Sequence, residues 1–134
     1  MPRATIRDLL DKFGWDLVTG SPQALERPVT LPDTNRPGLE LAGYFPDTAR
    51  RRLVILGAKE MGYIHEEMDE VAQRRAFEFL TGPMTPGIVI TNGSQCPRIL
   101  EEIARRKDFP VASTLEKTTY VVNNITNFLD EKLA

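Results

Sequence analysis

Leu53-Val54-Ile55-Leu56-Gly57 is a continuous apolar run that a glycine closes. A second run of this kind, Gly87 to Thr91, is followed by Asn92 and Gly93, and a third and weaker one covers Pro110 to Ser113. Runs without polar alternation are typical of strands that are buried on both faces of a sheet. The sequence therefore predicts three buried strands.

Helical patterns separate and follow these strands. The first covers Glu66 to Leu80, the second runs from Pro97 to Lys107, and the third covers Thr118 to Leu133. A repeated order of strand and helix is typical of parallel strands joined by right-handed crossovers. The predicted fold class is therefore α/β, a small and mostly parallel sheet flanked by helices.

The residues ahead of the first buried strand predict a helix and a short β-pair. Thr5 caps a helix over Ile6–Phe13, where apolar residues fall at helical spacing, and Gly14 ends it. Trp15–Thr19 and Pro28–Leu31 are then expected to form two short strands, because both are rich in apolar and β-branched residues and a turn separates them.

The stretch from Asn35 to Phe45 combines a Pro-Gly turn with a short apolar run and a second glycine. Pro37 suits the start of a short helix, since it has no N–H to lose there, and Gly43 suits its end. Within this stretch we expect three side chains to pack in the core: Leu39, Leu41 and Phe45. Packing accounts for neither Asn35 nor Arg36, so these two are the polar candidates for function.

Composition and charge exclude several classes of function. The net charge of −2 argues against a domain-wide nucleic-acid or membrane surface, although Arg50-Arg51-Arg52 and Arg105-Arg106-Lys107 are candidates for local basic patches. One cysteine and one histidine exclude an internal disulfide and a two-histidine metal motif. There is no signal-peptide pattern, so the expected location is the cytoplasm.

The sequence contains no strong catalytic motif. A P-loop needs G-x-x-x-x-G-K-[ST], and the nearest segment, Gly57 to Ile64, lacks the final Lys-Ser/Thr pair. Cys96 stands just before a helix start, where a thiolate is favoured, so an enzyme with a cysteine nucleophile is one open hypothesis. It requires a thiol pKa below the ordinary value. His65 is expected to be a surface or packing residue.

Topology points to a candidate ligand site at the carboxyl ends of the predicted strands, where open α/β sheets bind ligands. Small and polar residues follow each strand, and nearby helix N-termini would favour an anion. We expect Arg36 to lie close to this edge. The candidate ligand-binding residues are Arg36, Lys59, Glu60, Thr91, Asn92 and Ser113. Turn and capping roles would select similar residues, and that alternative stays open.

These features together resemble the N-terminal domain of bacterial HPr kinase/phosphorylase. The segment from Arg36 to Phe45, RPGLELAGYF, is similar to the family's most recognisable stretch in this region. Leu56 to Glu60 resembles its LG-x-x-E element, and Pro86 to Thr91 resembles its second buried strand. The segment from Thr118 to Ala134 resembles the helix that leads into the catalytic domain. The resemblance covers essentially the whole chain.

The resemblance implies that residues 1–134 form one non-catalytic, regulatory or structural domain, with the P-loop catalytic domain lying outside them. The family's complete enzyme phosphorylates a serine of HPr, the phosphocarrier of the sugar phosphotransferase system, with ATP or pyrophosphate. It also removes that phosphate, acts in carbon catabolite repression and assembles as a hexamer. Its fold in this region resembles the N-terminal domain of MurE and MurF.

The same resemblance sets the expected partners and cofactors. ATP and magnesium belong to the C-terminal domain, so neither a cofactor, a metal nor a catalytic residue is expected here. The expected partners are the chain's own C-terminal catalytic domain and HPr, with no nucleic acid and no membrane. One further hypothesis remains open beside the cysteine enzyme: a free-standing module of the same fold that senses a small molecule or nucleotide at the polar strand ends.

Overall fold

The computed structural model describes residues 3–47 and 50–134. Within these ranges the strands are β1 (Ala4–Thr5), β2 (Asp16–Thr19), β3 (Pro28–Val29), β4 (Thr34–Asn35), β5 (Leu53–Leu56), β6 (Ile88–Ile90) and β7 (Val111–Ser113). The α-helices are α1 (Ile6–Phe13), α2 (Gly38–Leu41), α3 (Ala58–Glu67), α4 (Glu70–Leu80), α5 (Arg98–Lys107) and α6 (Thr118–Lys132).

The main sheet has the strand order β2-β7-β6-β5-β4. Strands β4 to β7 are parallel, with Val54 opposite Ile88 and Ile88 opposite Val111, whereas β2 joins the edge antiparallel to β7. Helices follow β5, β6 and β7, as the pattern of apolar runs predicted. The α/β class with a small, mostly parallel sheet flanked by helices is therefore confirmed.

Two apolar layers cover the two faces of this sheet. Alternate strand residues such as Val54 and Ile90 pack on one face against Phe77 of α4 and Leu100 of α5. Ile55 and its neighbours pack on the other face with helices α1 and α6. Since successive side chains of a strand point to opposite faces, a central strand covered on both sides has to be apolar throughout. The uninterrupted apolar run Leu53–Leu56 is explained by the position of β5 between the two layers.

Local signals place α1 as predicted. The side chain of Thr5 accepts a hydrogen bond from Asp8 N, and Asp8 Oδ2 accepts one from Thr5 N, so the helix starts with a capping box. It ends at Gly14, whose φ of 65° lies in the left-handed region that glycine tolerates best.

The expected β-pair of Trp15–Thr19 with Pro28–Leu31 is wrong. Strand β2 pairs with β7, and β3 pairs with β1 instead. Thr19 secures the first arrangement, because its buried hydroxyl donates to Phe109 O at 2.7 Å just ahead of β7. The sequence of a short strand does not determine which strand it pairs with, so the pairing depends on tertiary contacts.

The helix expected over Glu66–Leu80 is confirmed from Glu70 onward as α4, but its predicted start is wrong and the preceding helix, α3, was not predicted. Met68 is extended between α3 and α4, with φ −102° and ψ 124°. Asp69 then caps α4 by accepting a hydrogen bond from Ala72 N at 2.8 Å. An N-cap aspartate starts a new helix rather than continuing an old one, which accounts for the break.

The stretch from Asn35 to Phe45 forms the short helix that was predicted, with Pro37 ahead of α2 and Gly43 at φ 102° after it. Leu41 is buried, and the ring of Phe45 stacks on Phe79 with 4.8 Å between centroids. The prediction that Leu39 packs in the core is wrong, because 62% of Leu39 is exposed. A helix of one turn has only a narrow buried side.

Helices α4 and α5 are joined by a ladder of ion pairs, each between residues 28 positions apart. The acidic residue comes alternately from α4 and from α5. The three pairs are Glu70–Arg98, Arg74–Glu102 and Glu78–Arg106. Exposed pairs of this kind contribute little singly, and the apolar residues of the two helices also pack together in the core. Among the helices of the described residues, none is both long and apolar enough to cross a membrane.

Candidate functional site

Strand β4 carries Arg36 to the carboxyl-end edge of the sheet. Thr34 pairs with Leu53 and Asn35 with Val54 in parallel register, so Arg36 follows directly beside the C-terminal half of β5. The sequence does not predict this two-residue strand, because Thr34 and Asn35 give no apolar run. Arg36 was expected near the strand ends, and the geometry agrees.

Arg36 holds the carboxylate of Glu60 in the first turn of α3. Arg36 Nη2 lies 2.9 Å from Glu60 Oε1 and 3.1 Å from Oε2, and Nε lies 3.1 Å from Oε1. Glu60 Oε1 also accepts from the backbone N–H of Gly57 at 2.6 Å. The carboxylate thus occupies the positive end of α3, the position that an external anion would take.

The neighbouring residue, Asn35, holds a second carboxylate. Asn35 Nδ2 donates to Glu40 Oε2 at 2.7 Å, and only 2% of Glu40 is exposed. A buried carboxylate needs hydrogen-bond donors, and Asn35 supplies one from β4 to α2. The two residues that packing left unexplained therefore each fix an acidic residue on a following helix.

A second cluster joins the end of β6 to the start of α6. The hydroxyl oxygens of Thr91 and Thr118 lie 2.6 Å apart, and Asn92 Nδ2 donates to Thr118 Oγ1 at 2.8 Å and to Thr91 Oγ1 at 3.1 Å. Asn92 has φ 60°, a left-handed conformation that asparagine adopts more readily than most residues. This turn aims its amide back at the two hydroxyls.

Gly57 brings the two clusters together. A Cβ atom at this position would lie 2.6 Å from Thr118 Oγ1, 2.9 Å from Arg36 Nη2 and 3.1 Å from Glu60 Oε1. The missing side chain therefore provides the space in which the start of α6 and the Arg36–Glu60 pair approach β5. We call the set Arg36, Gly57, Glu60, Thr91, Asn92 and Thr118 the strand-end network.

Four of the six candidate site residues belong to this network, and two do not. Lys59 is exposed, and Ser113 lies half-buried at the end of β7; neither has a side-chain hydrogen bond to any described residue. The sequence does not mark Thr118 as a functional residue, since it is only the first residue of a predicted helix. Its partner Thr91 lies 27 positions earlier, so no local signal could have identified the contact.

The polar groups of the network largely satisfy one another. The guanidinium of Arg36 is engaged by Glu60, and the two threonine hydroxyls are engaged by each other and by Asn92. Such an arrangement fixes the ends of β5 and β6 against the start of α6. Ligand binding at Arg36, Lys59, Glu60, Thr91, Asn92 and Ser113 stays a prediction.

Cys96 and His65 line a cleft of about 670 Å³ beside α5. Burial, followed by the charge of Glu101, raises the pKa of the Cys96 thiol to about 12. A cysteine nucleophile needs the opposite shift, because the thiolate is the reactive form. This shift argues against the cysteine-enzyme hypothesis, which requires a pKa below the ordinary value. His65 is exposed on α3, as expected for a surface residue.

Comparison with known proteins gives one family for nearly the whole chain. The family model described as HPr Serine kinase N terminus matches residues 4–129. The HPr kinase/phosphorylase of Geobacillus sp. (strain WCH70) is 36% identical over 134 residues, which is 100% of this chain and 42% of that relative.

Two further relatives agree with this match. The HPr kinase/phosphorylase of Geobacillus kaustophilus (strain HTA426) is 35% identical over the full chain and 42% of its own length. HPr kinase/phosphorylase 1 of Oceanobacillus iheyensis is 37% identical over 96% of this chain and 41% of its own length. The chain thus spans about two fifths of the length of these curated relatives.

Proposed function

This chain belongs to the family described as HPr Serine kinase N terminus, and on that premise we propose that it is the regulatory and structural, non-catalytic N-terminal domain of an HPr kinase/phosphorylase. In this proposal residues 1–134 form one domain. The parent enzyme transfers phosphate to a serine of HPr from ATP or pyrophosphate and also removes it, in the cytoplasm and in carbon catabolite regulation.

One observation carries the proposal. The chain aligns over its full length with relatives named HPr kinase/phosphorylase, yet it spans only 42% of the first of them and contains no P-loop motif. Phosphoryl transfer needs a phosphate-binding loop and a magnesium site. We therefore assign ATP and magnesium binding to the remaining length of the parent, and no cofactor to this domain.

The strand-end network supports a structural role within that parent. The helix that the resemblance places next to the catalytic domain is α6, and its first residue is bound to Thr91 and Asn92 at the end of β6. Gly57 lets the Arg36–Glu60 pair reach the same point. We propose that the network sets the direction in which α6 leaves the domain, towards its partner domain in a homo-oligomer.

The parent reading frame gives the first test. We expect it to continue beyond Ala134 into a segment with a P-loop. Next, the full-length protein and a version without residues 1–134 are compared in HPr phosphorylation with ATP or pyrophosphate and in dephosphorylation. The chemistry should persist in the shortened protein while its assembly or regulation changes.

Two results would contradict the proposal. One is phosphate transfer to HPr by the 134-residue chain alone, which would make this domain catalytic. The other is a reading frame without any P-loop downstream, which would leave the chain as a free-standing module. Size-exclusion chromatography with light scattering on both proteins separates an effect on assembly from an effect on the chemistry.

A further inference from the structure

A cleft of about 250 Å³ lies at the opposite edge of the sheet from the strand-end network. Its walls come from the start of β3, from Arg51 ahead of β5 and from Thr85 and Pro86 ahead of β6. Because β5 and β6 are parallel, both begin at this edge. We call it the amino-edge cleft.

Arg27 is held rigidly in the wall of this cleft. Its Nη2 donates to three backbone carbonyls, those of Gly82 at 2.9 Å, Pro83 at 3.2 Å and Thr85 at 2.6 Å. Its guanidinium also lies over the ring of Phe109, 4.9 Å from the centroid. Every hydrogen bond from Arg27 to the described residues uses Nη2, which leaves the N–H groups of Nε and Nη1 for a ligand.

Among residues 3–47 and 50–134, no counter-charge contacts the positive charge of the cleft. Neither Arg27 nor Arg51 forms an ion pair within the part of the chain that the structure describes. The acidic group that acts on Arg27 is Asp108, whose carboxylate oxygens accept hydrogen bonds from the N–H and hydroxyl of Ser21 at 2.8 and 2.5 Å.

The three carbonyls and the ring of Phe109 replace part of the hydration that the half-buried guanidinium of Arg27 loses, but no carboxylate of the described residues forms an ion pair with it. Burial accordingly lowers the pKa of Arg27, with Asp108 opposing the shift. An anion between Arg27 and Arg51 would offset this cost, and it would face a side chain that three carbonyls have already ordered. Preorganisation of this kind favours binding, because little conformational entropy is lost on contact.

We propose that the amino-edge cleft binds a small phosphate monoester. The planar guanidinium of Arg27 can donate two parallel hydrogen bonds to two phosphate oxygens. Arg51 and Thr30 line the same space. Pro28 and Met84 add an apolar wall for a short carbon portion. The volume admits a phosphate with a small ring and is below the usual size of pockets for drug-sized ligands.

The amino-edge cleft requires neither a catalytic domain nor the strand-end network. Its lining includes Arg51, from the Arg50-Arg51-Arg52 run that is a candidate basic patch in the sequence. The neighbouring Arg50 is engaged elsewhere, by Asp47 at 2.9 Å and by the ring of Phe79. The run thus supplies one cation to the cleft rather than forming a continuous basic surface.

The test is a titration of the chain, followed by backbone amide NMR, with inorganic phosphate, phenyl phosphate, citrate, a phosphoserine peptide and chloride at matched ionic strength. Saturable shifts are expected around Thr30, Arg51 and Thr85 with phosphate, and tighter binding with phenyl phosphate. Arg51→Gln should weaken binding about tenfold, since a charge-assisted contact is lost. Lys117→Gln removes an exposed charge at the other edge and should change nothing.

Several outcomes would overturn the proposal. Equal shifts with chloride would mean general screening, and equal affinity in Arg51→Gln would place binding elsewhere. Binding of citrate without phosphate would refute the ligand class, and binding of the peptide without phenyl phosphate would refute a small-molecule ligand. Arg27→Lys keeps the positive charge but loses the planar guanidinium, so its affinity for phosphate should fall. If Arg27→Lys does not fold, Arg51→Gln still tests the site.

Discussion

Arg36 donates hydrogen bonds to both carboxylate oxygens of Glu60, with Nη2 2.9 Å from Oε1 and 3.1 Å from Oε2. Oε1 also accepts from Gly57 N at 2.6 Å, so one carboxylate joins the residue after β4 to the first turn of α3. Only 10% of the Glu60 side chain is exposed, against 40% for Arg36. The carboxylate of Glu60 is therefore the buried member of the pair, and removing its hydrogen-bond donor should destabilise the fold.

Replacing Arg36 with alanine should lower the free energy of unfolding by about 1.5–3 kcal/mol, the usual contribution of a hydrogen bond to a charged group. Glu60 would keep its bond from Gly57 N, so the fold should persist. Urea unfolding followed by circular dichroism measures the change. The matched control is Arg75→Ala, on the exposed side of α4, which should change stability by less than about 0.5 kcal/mol.

An unchanged unfolding free energy in Arg36→Ala would contradict a stabilising role for the pair. Arg36 would then be better explained as a ligand-binding residue, and the strand-end site would need titration with candidate ligands. Complete unfolding of Arg36→Ala would instead make the Arg36-to-Phe45 segment purely architectural. The size of the effect thus distinguishes the two interpretations of this residue.

Replacing Gly57 with alanine should destabilise the protein by about 1–3 kcal/mol, as overpacking does in a well-packed region. Its φ of −96° is open to any residue, so the cost comes from the Cβ atom, which would lie 2.6 Å from Thr118 Oγ1. Removing that hydroxyl in Gly57→Ala/Thr118→Ala should make the combined loss smaller than the sum of the single losses. Thermal and urea unfolding of all three variants give the comparison.

Gly62 provides the control for Gly57 within the same helix. A Cβ atom there would meet no atom of another described segment within 4 Å, so Gly62→Ala should stabilise the protein by about 0.5–1 kcal/mol through helix propensity. Equal effects at both glycines would contradict a special role for Gly57. Additive losses in the double variant would place the strain of Gly57→Ala on a neighbour other than Thr118.

The sequence predicted what depends on local patterns. The apolar runs gave β5, β6 and β7, and Thr5 and Gly14 gave both ends of α1. The edge of the sheet that receives Arg36 was also predicted, because the carboxyl ends of parallel strands always meet. Each of these follows from residues that lie close together in the chain or from a general property of parallel sheets.

What the sequence missed depends on contacts between distant residues. Strand β4 exists only because Thr34 and Asn35 pair with β5. Threonine favours strands and asparagine does not, so these two residues together give no strand signal. The contact of Thr91 with Thr118 spans 27 positions, and nothing near Thr118 indicates it. The environment of Arg27 could not be predicted either, because the three carbonyls that its side chain contacts lie 55 to 58 positions later in the chain.

Cys96 should react slowly with iodoacetamide in the folded protein. Burial, then the charge of Glu101, raises its pKa to about 12, so almost none of the thiol is ionised at pH 8. Unfolding in urea should restore the ordinary reactivity of a cysteine. The alkylation rate, measured by mass spectrometry in native and denaturing buffer, checks this. A native rate equal to or above the denatured rate would revive the hypothesis of a reactive cysteine.

The Arg74–Glu102 rung should make stability depend on pH. The hydrogen bond from Arg74 holds the pKa of Glu102 below its ordinary value of 4.5, so the stabilisation is present above that pH. It is lost as the pH falls through the lower pKa of the folded state, where the carboxylate takes up a proton. Glu102→Gln removes the ionisable group. The unfolding free energies of the variant and the unmodified chain should therefore become similar at acidic pH.

The measurement is urea unfolding of both proteins at pH 7 and at pH 3, repeated in 1 M sodium chloride, because salt screens exposed charges. At pH 7 the unmodified chain should be the more stable of the two, and high salt should narrow the gap. Glu116→Gln, which removes an exposed carboxylate without an ion pair to any described residue, should show no such dependence. A gap of the same size at both pH values would mean that Glu102 acts through packing rather than through charge.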